Sequence, residues 1–222
     1  MIGREHGITP SGIVYLFGEQ FVEPAKLLGE TLLSSGIKVK SRELAEMLYG
    51  VALLALDADG IVHLEIAQHK RFLGLGQTQT VAVHPAGPNP GAGLEGLIVA
   101  QLSPNPAQNH VSDLLNRHIG QDMANPWGYV TSLVKQDLAA RGFLQEQREA
   151  RQGLGKILGD KVTLTAVPER IAPLANLAGL VRGLLANVQA RQPELAAQLW
   201  KDMRKGFQSR VEQTDDDSGV DD

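Results

Sequence analysis

The stretch LALDADGIVHLEI, Leu54–Ile66, decides the fold because it joins a helical pattern to a strand pattern through one glycine. Over residues 42–56 the apolar residues recur at helical spacing, which predicts an amphipathic helix. The residues Asp57 to Gly60 are a turn signal, and the apolar residues that alternate after them predict a strand. A second strand is predicted at 78–84, so the order is helix, glycine, strand, loop and strand.

The same order recurs in the second half of the chain. A helix is predicted over 127–141, Gly142 ends it, and two strands follow. Val81 lies 21 residues after Gly60, and Val162 lies 20 residues after Gly142, so the two segments match in length. This order is typical of a winged-helix unit. The prediction is a mainly α fold with small β-hairpins (α+β) and two winged-helix-like units in tandem. The alternative is a single helical domain with two unrelated hairpins.

Two breaks in composition divide the chain. Residues 85–93 contain three prolines and three glycines, which is a linker composition, and a second Pro/Asn-rich break lies at 103–109. The predicted organisation follows from these breaks and from the charge pattern. It comprises an N-terminal segment (1–36), a first winged-helix-like unit (37–102), a second unit with C-terminal helices (103–210) and a disordered acidic tail (211–222).

Local signals predict further elements. The apolar run at 13–17 indicates a short strand or a buried first turn. Pro24 suits the first position of a helix, and the leucines at helical spacing after it predict a helix that ends at Gly36. Asn125 followed by Pro126 predicts the start of the late helix, with the asparagine as N-cap.

Composition excludes several classes of protein. The 222 residues are 43% hydrophobic, with 21 Lys+Arg and 25 Asp+Glu, which is too ordinary for a disordered chain. No apolar run approaches the roughly 20 residues that a bilayer requires. The N-terminus lacks the basic and apolar regions of a secretory signal, so we expect a soluble cytoplasmic protein. The chain has no cysteine, which excludes thiolate nucleophiles, thiolate zinc sites and disulfides.

The net charge of −4 is unevenly distributed. Residues 1–116 carry 7 basic and 11 acidic side chains, whereas residues 117–210 carry 14 and 8, and the last twelve residues carry six acids and no base. A basic second half predicts contact with an anionic partner. The candidate residues lie on the helix, glycine turn and wing of the second unit: Lys135, Arg141, Arg148, Arg151, Lys156 and Lys161. The alternative is a solvated face, because acids are interleaved with these bases.

Catalytic and cofactor motifs are missing from the sequence. No serine has a Gly-x-Ser-x-Gly setting, and the run at 153–156, GLGK, lacks the hydroxyl residue that completes a phosphate loop. His63, Glu65 and His69 could approximate a metal site, but no histidine pair has the i, i+4 spacing of a preformed one. We therefore predict no enzyme, no cofactor and no metal. An enzyme assembled from scattered His, Asp and Glu is the third alternative.

One family is similar in pattern. The run Val130–Leu144, VTSLVKQDLAARGFL, with the hairpin after it, resembles the late helix and strand of Golgi phosphoprotein 3-like proteins. The segments Leu44–Leu64 and Thr80–Pro85 are similar in order to the first half of that family. The resemblance implies a mainly helical peripheral protein that recognises phosphoinositide headgroups and acts as an adaptor at membranes. Thr131 and Leu133 stand where the family has basic residues, so no site residue is carried over.

Two hypotheses about function follow. The leading one is a non-enzymatic binding or adaptor protein that acts at a macromolecular assembly or a membrane surface, and is cytoplasmic or peripherally membrane-bound. Its partner is a protein or an anionic surface, either phospholipid headgroups or DNA phosphates, and a homo-oligomer is left open. The alternative is a DNA-binding or chromosome-associated tandem winged-helix protein that uses the basic residues of the second unit.

Overall fold

The computed structural model describes residues 2–70, 77–119, 125–149 and 161–216. The helices are α1 (Pro10–Leu16), α2 (Ser41–Ala58), α3 (Gly93–Ala100), α4 (Val111–His118), α5 (Pro126–Ala140), α6 (Pro168–Ile171), α7 (Ala175–Arg191) and α8 (Pro193–Asp216). The strands are β1 (Glu30–Thr31), β2 (Lys38–Val39), β3 (Val62–Lys70), β4 (Gln77–Pro85), β5 (Leu144–Glu149) and β6 (Lys161–Ala166). They form antiparallel pairs in sequence order. The predicted class, mainly α with small hairpins, is confirmed.

Both glycine turns lie where the sequence predicts them. Gly60 has a φ of 66° and Gly142 a φ of 77°, values in the left-handed region that glycine adopts without strain. In each case a helix ends just before the glycine and an antiparallel hairpin follows, β3 with β4 and β5 with β6. The order of helix, glycine and hairpin therefore occurs twice.

The helices of both halves share one hydrophobic core. The central helix α2 packs against α1, α5, α3, α7 and α8. The largest fully buried side chains come from both halves of the chain and include Tyr15, Tyr49, Phe143 and Phe207. The predicted boundary between residues 102 and 103 therefore separates two stretches of sequence and does not separate two cores.

The run at 13–17 differs from its prediction. It belongs to helix α1, which begins after Thr9, whose Oγ1 accepts a hydrogen bond from the Gly12 N–H at 3.2 Å. Every residue of α1 is buried. A helix that is covered on all sides needs no exposed polar face, so its sequence lacks the amphipathic period, and its buried Ser11 hydroxyl donates to Glu95 Oε2 at 2.9 Å.

The predicted helix from Pro24 to Gly36 is wrong. Glu30 pairs with Val39 in a short hairpin between β1 and β2, and Gly36, with a φ of 72°, lies in the turn of that hairpin. The residues between Pro24 and β1 form an irregular loop. The leucines of this loop do not face the core, so their helical spacing is coincidental.

The C-terminal helix α8 begins at Pro193 as predicted and continues to Asp216. Its last six residues belong to the segment 211–222 that was predicted to be a disordered tail. Extending a helix that is already formed costs little per residue, so an acidic sequence can continue it. Residues 217–222 lie outside the described part of the chain.

Within the described residues, one helical stretch, Pro168–Arg191, is long and apolar enough to cross a membrane by length and composition alone. Its most apolar window has a mean hydropathy of 1.4, and 17% of that window is buried. The expectation from the sequence concerned uninterrupted apolar runs, whereas this stretch contains Asn176, Arg182 and Asn187. Gly, Ala and Asn residues divide this stretch into short apolar runs, so its full length is not evident when only uninterrupted runs are counted.

Candidate functional site

Among the residues that the structure describes, the most exposed large apolar side chains belong to the irregular loop at residues 23–29, which we call the leucine loop. Leu27 is 82% exposed and Leu28 is 94% exposed. Lys26, next to them, is also exposed. Single exposed leucines are common on protein surfaces, but two adjacent ones at this exposure form an apolar projection that suggests a contact surface.

Hydrogen bonds to strand β2 hold the leucine loop in place. The Ala25 N–H donates to the carbonyl oxygen of Lys38 at 2.9 Å, and the Lys40 N–H donates to that of Glu23 at 3.3 Å. The Lys38 Nζ donates to the carbonyl oxygen of Leu27 at 3.1 Å. After the leucines, Glu30 of β1 pairs with Val39 of β2, so the main chain is fixed on both sides of the leucines.

A close approach at the end of the loop also requires a glycine. A Cβ atom at Gly29 would overlap the carbonyl oxygen of Val39, and would lie 2.7 Å from the Cβ of Ala25. Only glycine allows the loop to lie this close to β2. The signals that identify this loop in the sequence are the flanking proline and glycine around an adjacent leucine pair, which the helical interpretation overlooked.

The charge of the leucine loop is positive at its exposed end. At its base, the Lys40 Nζ contacts Glu23 Oε2 at 2.6 Å and Glu43 Oε1 at 2.8 Å. The hydrogen bond from Lys40 lowers the pKa of Glu23 below its usual range. Lys40 is shared between these two carboxylates, so the base of the loop stays acidic, and Lys26 and Lys38 are the cationic groups beside the leucines.

The predicted site residue Lys135 makes internal contacts. Its ammonium group forms an ion pair with Glu30 of β1 and lies 5.7 Å from the ring centroid of Tyr15. Burial raises the pKa of the Tyr15 hydroxyl. Lys135 therefore connects α5 with β1 and α1.

The predicted site residue Arg141 is also bound within the protein. Its Nε donates to Asp137 Oδ2 at 2.8 Å, and its Nη1 donates to the carbonyl oxygen of Gly7 at 2.9 Å. These bonds connect the end of α5 with the N-terminal segment. The guanidinium group of Arg141 is thus partly occupied by protein groups.

Of the other four predicted site residues, two belong to the strands of the second hairpin. Arg148 lies in β5 and Lys161 lies in β6, and register places both at the end of the hairpin farther from α5. Their side chains lie outside what the structure describes, as do Arg151 and Lys156 entirely. The structure therefore does not bring these residues together with Lys135 and Arg141 as one described surface.

A groove of about 760 Å³ lies between α5, β5 and α6. Its charged lining residues are Glu146, Glu169 and Arg170. Arg170 is engaged with the protein, because its guanidinium carbon lies 5.1 Å from the ring centroid of Phe143 and its Nη2 donates to the carbonyl oxygen of Arg141 at 3.2 Å. Two carboxylates against one guanidinium make this groove unfavourable for phosphate.

The two helices that precede the glycine turns, α2 and α5, are largely covered. In α5 only Gln136 and Ala140 are exposed, and in α2 only Ala58 is exposed. A helix enters the major groove of B-DNA with one face free. Neither helix offers such a face.

A buried carboxylate connects α3 with the start of α1. Glu95 is fully buried, and its Oε1 and Oε2 accept hydrogen bonds from the N–H and the Oγ of Ser11 at 2.8 and 2.9 Å. Burial raises the pKa of Glu95. Because no histidine contacts this pair among the described residues, the arrangement fixes two helices and offers no activated hydroxyl.

Two of the histidines each contact a different side chain, and the two contacts lie apart from each other. His118 Nδ1 lies 3.0 Å from the Tyr49 hydroxyl, and burial lowers the pKa of His118 to about 4. His84 Nε2 lies 3.0 Å from Glu65 Oε1 on the surface of the first hairpin. In the described part of the chain no three His, Asp or Glu side chains are arranged to hold a metal ion. The side chain of His69 lies outside that part.

Comparison with known proteins adds nothing to this geometry. No family model, curated protein or solved structure matches the chain. The resemblance to Golgi phosphoprotein 3-like proteins therefore stays a prediction.

Proposed function

We propose that this chain is a non-enzymatic adaptor or binding protein that docks on an anionic membrane surface through its leucine loop. The observation that carries the proposal is the exposure of Leu27 and Leu28, 82% and 94%, beside two lysines. A lipid surface accepts apolar side chains at the boundary of its hydrocarbon and basic side chains at its phosphates. The function implied by the family resemblance agrees with this proposal.

The energetics suit reversible binding. Full transfer of a leucine side chain out of water contributes about 1.5 to 3 kcal/mol, and a lysine near an anionic leaflet contributes about 1 kcal/mol. Two leucines with Lys26 and Lys38 therefore supply about 5 to 8 kcal/mol before the cost of association. Because hydrogen bonds to β2 already order the loop, little further entropy is lost on binding.

We also propose that the chain contains two winged-helix-like units in tandem, which form a scaffold around one core. The repeated order of helix, glycine and hairpin supports it. In this scaffold α2 and α5 serve as packing elements, since both are covered. The DNA-binding alternative has less support for the same reason, and would depend on the basic end of the second hairpin.

Vesicle co-sedimentation tests the function. Wild-type protein is mixed with phosphatidylcholine vesicles that contain phosphatidylserine, and with vesicles of phosphatidylcholine alone. The variant Leu27→Ser/Leu28→Ser should bind the anionic vesicles at least about a hundredfold more weakly, given the transfer free energy of two leucines. Leu97→Ser is the matched control, because Leu97 is a 39% exposed leucine of α3 outside both the loop and the apolar stretch Pro168–Arg191, and it should bind like the wild type.

Two outcomes would contradict the proposal. One is that the wild type does not bind the anionic vesicles. The other is that the loop variant and the Leu97→Ser control bind equally well. Salt-sensitive binding to duplex DNA that weakens in Arg148→Glu would instead favour the alternative function.

A further inference from the structure

Helix α8 closes the outer edge of strand β4. The Val81 N–H donates to Asp202 Oδ2 at 2.6 Å. Gln198 Nε2 donates to the carbonyl oxygen of Gln79 at 2.8 Å and to Asp202 Oδ1 at 2.7 Å. Both α8 side chains are buried. They therefore supply the acceptor and the donor that a neighbouring strand would otherwise provide.

The same bonds show which residues of the hairpin point outward. The Val83 N–H also points away from β3, since it donates to the carbonyl oxygen of Asn109 at 2.8 Å. In an antiparallel pair, two residues that face each other without exchanging hydrogen bonds both direct their main-chain groups outward. The register places Leu64, Ile66 and Gln68 opposite the three outward residues of β4. Their main-chain groups therefore point to the opposite side of the hairpin.

On that side, the edge of β3 is open at two residues. The Leu64 N–H donates to Asp57 Oδ1 at 2.8 Å. Among the hydrogen bonds of the described residues, none reaches the main chain of Ile66 or Gln68 from outside the hairpin. A groove of about 530 Å³ separates β3 from the connection between α7 and α8, at residues 191–195. The hairpin is thus covered along one edge and accessible along the other.

We propose that this open edge pairs with the β3 strand of a second copy of the chain, antiparallel about a two-fold axis, to form a four-stranded sheet. An accessible strand edge is a template for another strand. The register that sets Ile66 opposite Gln68 of the second copy uses the open residues of both chains, and each such pair exchanges both N–H···O bonds.

Charge supports this register. It sets Glu65, whose carboxylate also lies 3.0 Å from His84 Nε2 of its own chain, opposite position 69 of the second copy, and the two-fold axis repeats the pair. Position 69 is a histidine in the sequence, and an acidic residue facing a basic one suits a strand pair. The register with Ile66 opposite itself would instead set His63 opposite His69, which is unfavourable when both are charged.

Light scattering coupled to size-exclusion chromatography tests the dimer over a series of protein concentrations. The wild type should change from the mass of one chain toward twice that mass as its concentration rises. Gln68→Pro should stay a monomer, because proline removes the outward N–H but none of the bonds to β4. Gln68→Val is the matched control, since it keeps the N–H, and it should dimerise like the wild type.

Hydrogen exchange gives a second measurement that does not depend on the proline variant folding. In the wild type, exchange at Ile66 and Gln68 should slow as the protein concentration rises, and exchange at Val81 should not change. A monomeric wild type at every concentration overturns the proposal. So does a dimer that persists in Gln68→Pro, or one that leaves exchange at Gln68 unchanged. Because no vesicles are present, this result is independent of the membrane proposal.

Discussion

Gly96→Ala should destabilise the protein, whereas the same substitution at Gly183 should stabilise it. Both glycines lie inside helices, α3 and α7. A Cβ atom at Gly96 would overlap the carbonyl oxygen of Gly91, a main-chain atom of the preceding linker. At Gly183 no atom lies within 4 Å of the added Cβ. The two variants therefore make the same chemical change and differ in the space available.

The loss of unfolding free energy in Gly96→Ala depends on how far the linker must shift. To accommodate a methyl group at position 96, the linker must shift and lose two hydrogen bonds of Asn89, to the Gly96 carbonyl at 3.2 Å and from the Gly91 N–H at 2.9 Å. Those bonds contribute about 1 kcal/mol each, and overpacking adds about 1 to 3 kcal/mol. The higher helix propensity of alanine returns about 1 kcal/mol. The net loss is about 2 to 4 kcal/mol, against a gain of about 1 kcal/mol at Gly183.

Urea unfolding followed by circular dichroism measures the change in unfolding free energy for each of the two variants. For a chain of this size the loss corresponds to a melting temperature lower by about 4 to 16 °C, and the gain to one higher by about 2 to 4 °C. Equal stabilisation of the two variants would refute the close approach of α3 to the linker. A loss at Gly183 would refute the open surface of α7.

Two further predictions concern pH. Burial raises the pKa of Glu95 in the folded protein, so its contribution to stability is present at low pH and is lost as pH rises through that pKa. In urea unfolding measured from acid to neutral pH, Glu95→Gln should therefore become more stable relative to the wild type as pH rises. A difference in unfolding free energy that stays constant with pH would contradict this. Burial lowers the pKa of His118 to about 4, so its contribution is present above pH 6.5 and is lost as pH falls toward 4. NMR titration should show the His118 ring titrating near pH 4. Between pH 6.5 and pH 4 the protein should lose about 3 kcal/mol of unfolding free energy. A His118 ring that titrates near pH 6.5 would contradict the burial.

Local patterns predicted the elements whose signals lie close together in the sequence. The helix and strand around Gly60 occur as expected, and so does the start of α5, where the Asn125 side chain accepts a hydrogen bond from the Gly128 N–H at 2.9 Å. The segment at 23–29 could not be predicted in this way. Its conformation depends on main-chain bonds to Lys38 and Lys40, which local spacing does not report.

The candidate site was likewise only partly predictable from local sequence patterns. Charge along the chain correctly identified a basic second half, but the partners of two of its residues lie in the first half. Lys135 pairs with Glu30, and Arg141 donates to Gly7, so these two cations connect the halves. The leucine loop was overlooked because exposure is a property of the folded chain and two adjacent leucines fit a helical pattern equally well.

The closure of β4 by α8 has a consequence for synthesis of the protein on the ribosome. Strand β4 is complete at Pro85, but Gln198 and Asp202 are translated roughly a hundred residues later, which takes about 5 to 20 seconds at common elongation rates. During that interval the outward main-chain groups of Gln79 and Val81 lack their partners, and α2 lacks the helix that completes its surroundings. The nascent chain must therefore remain protected from other strands until its last helix emerges.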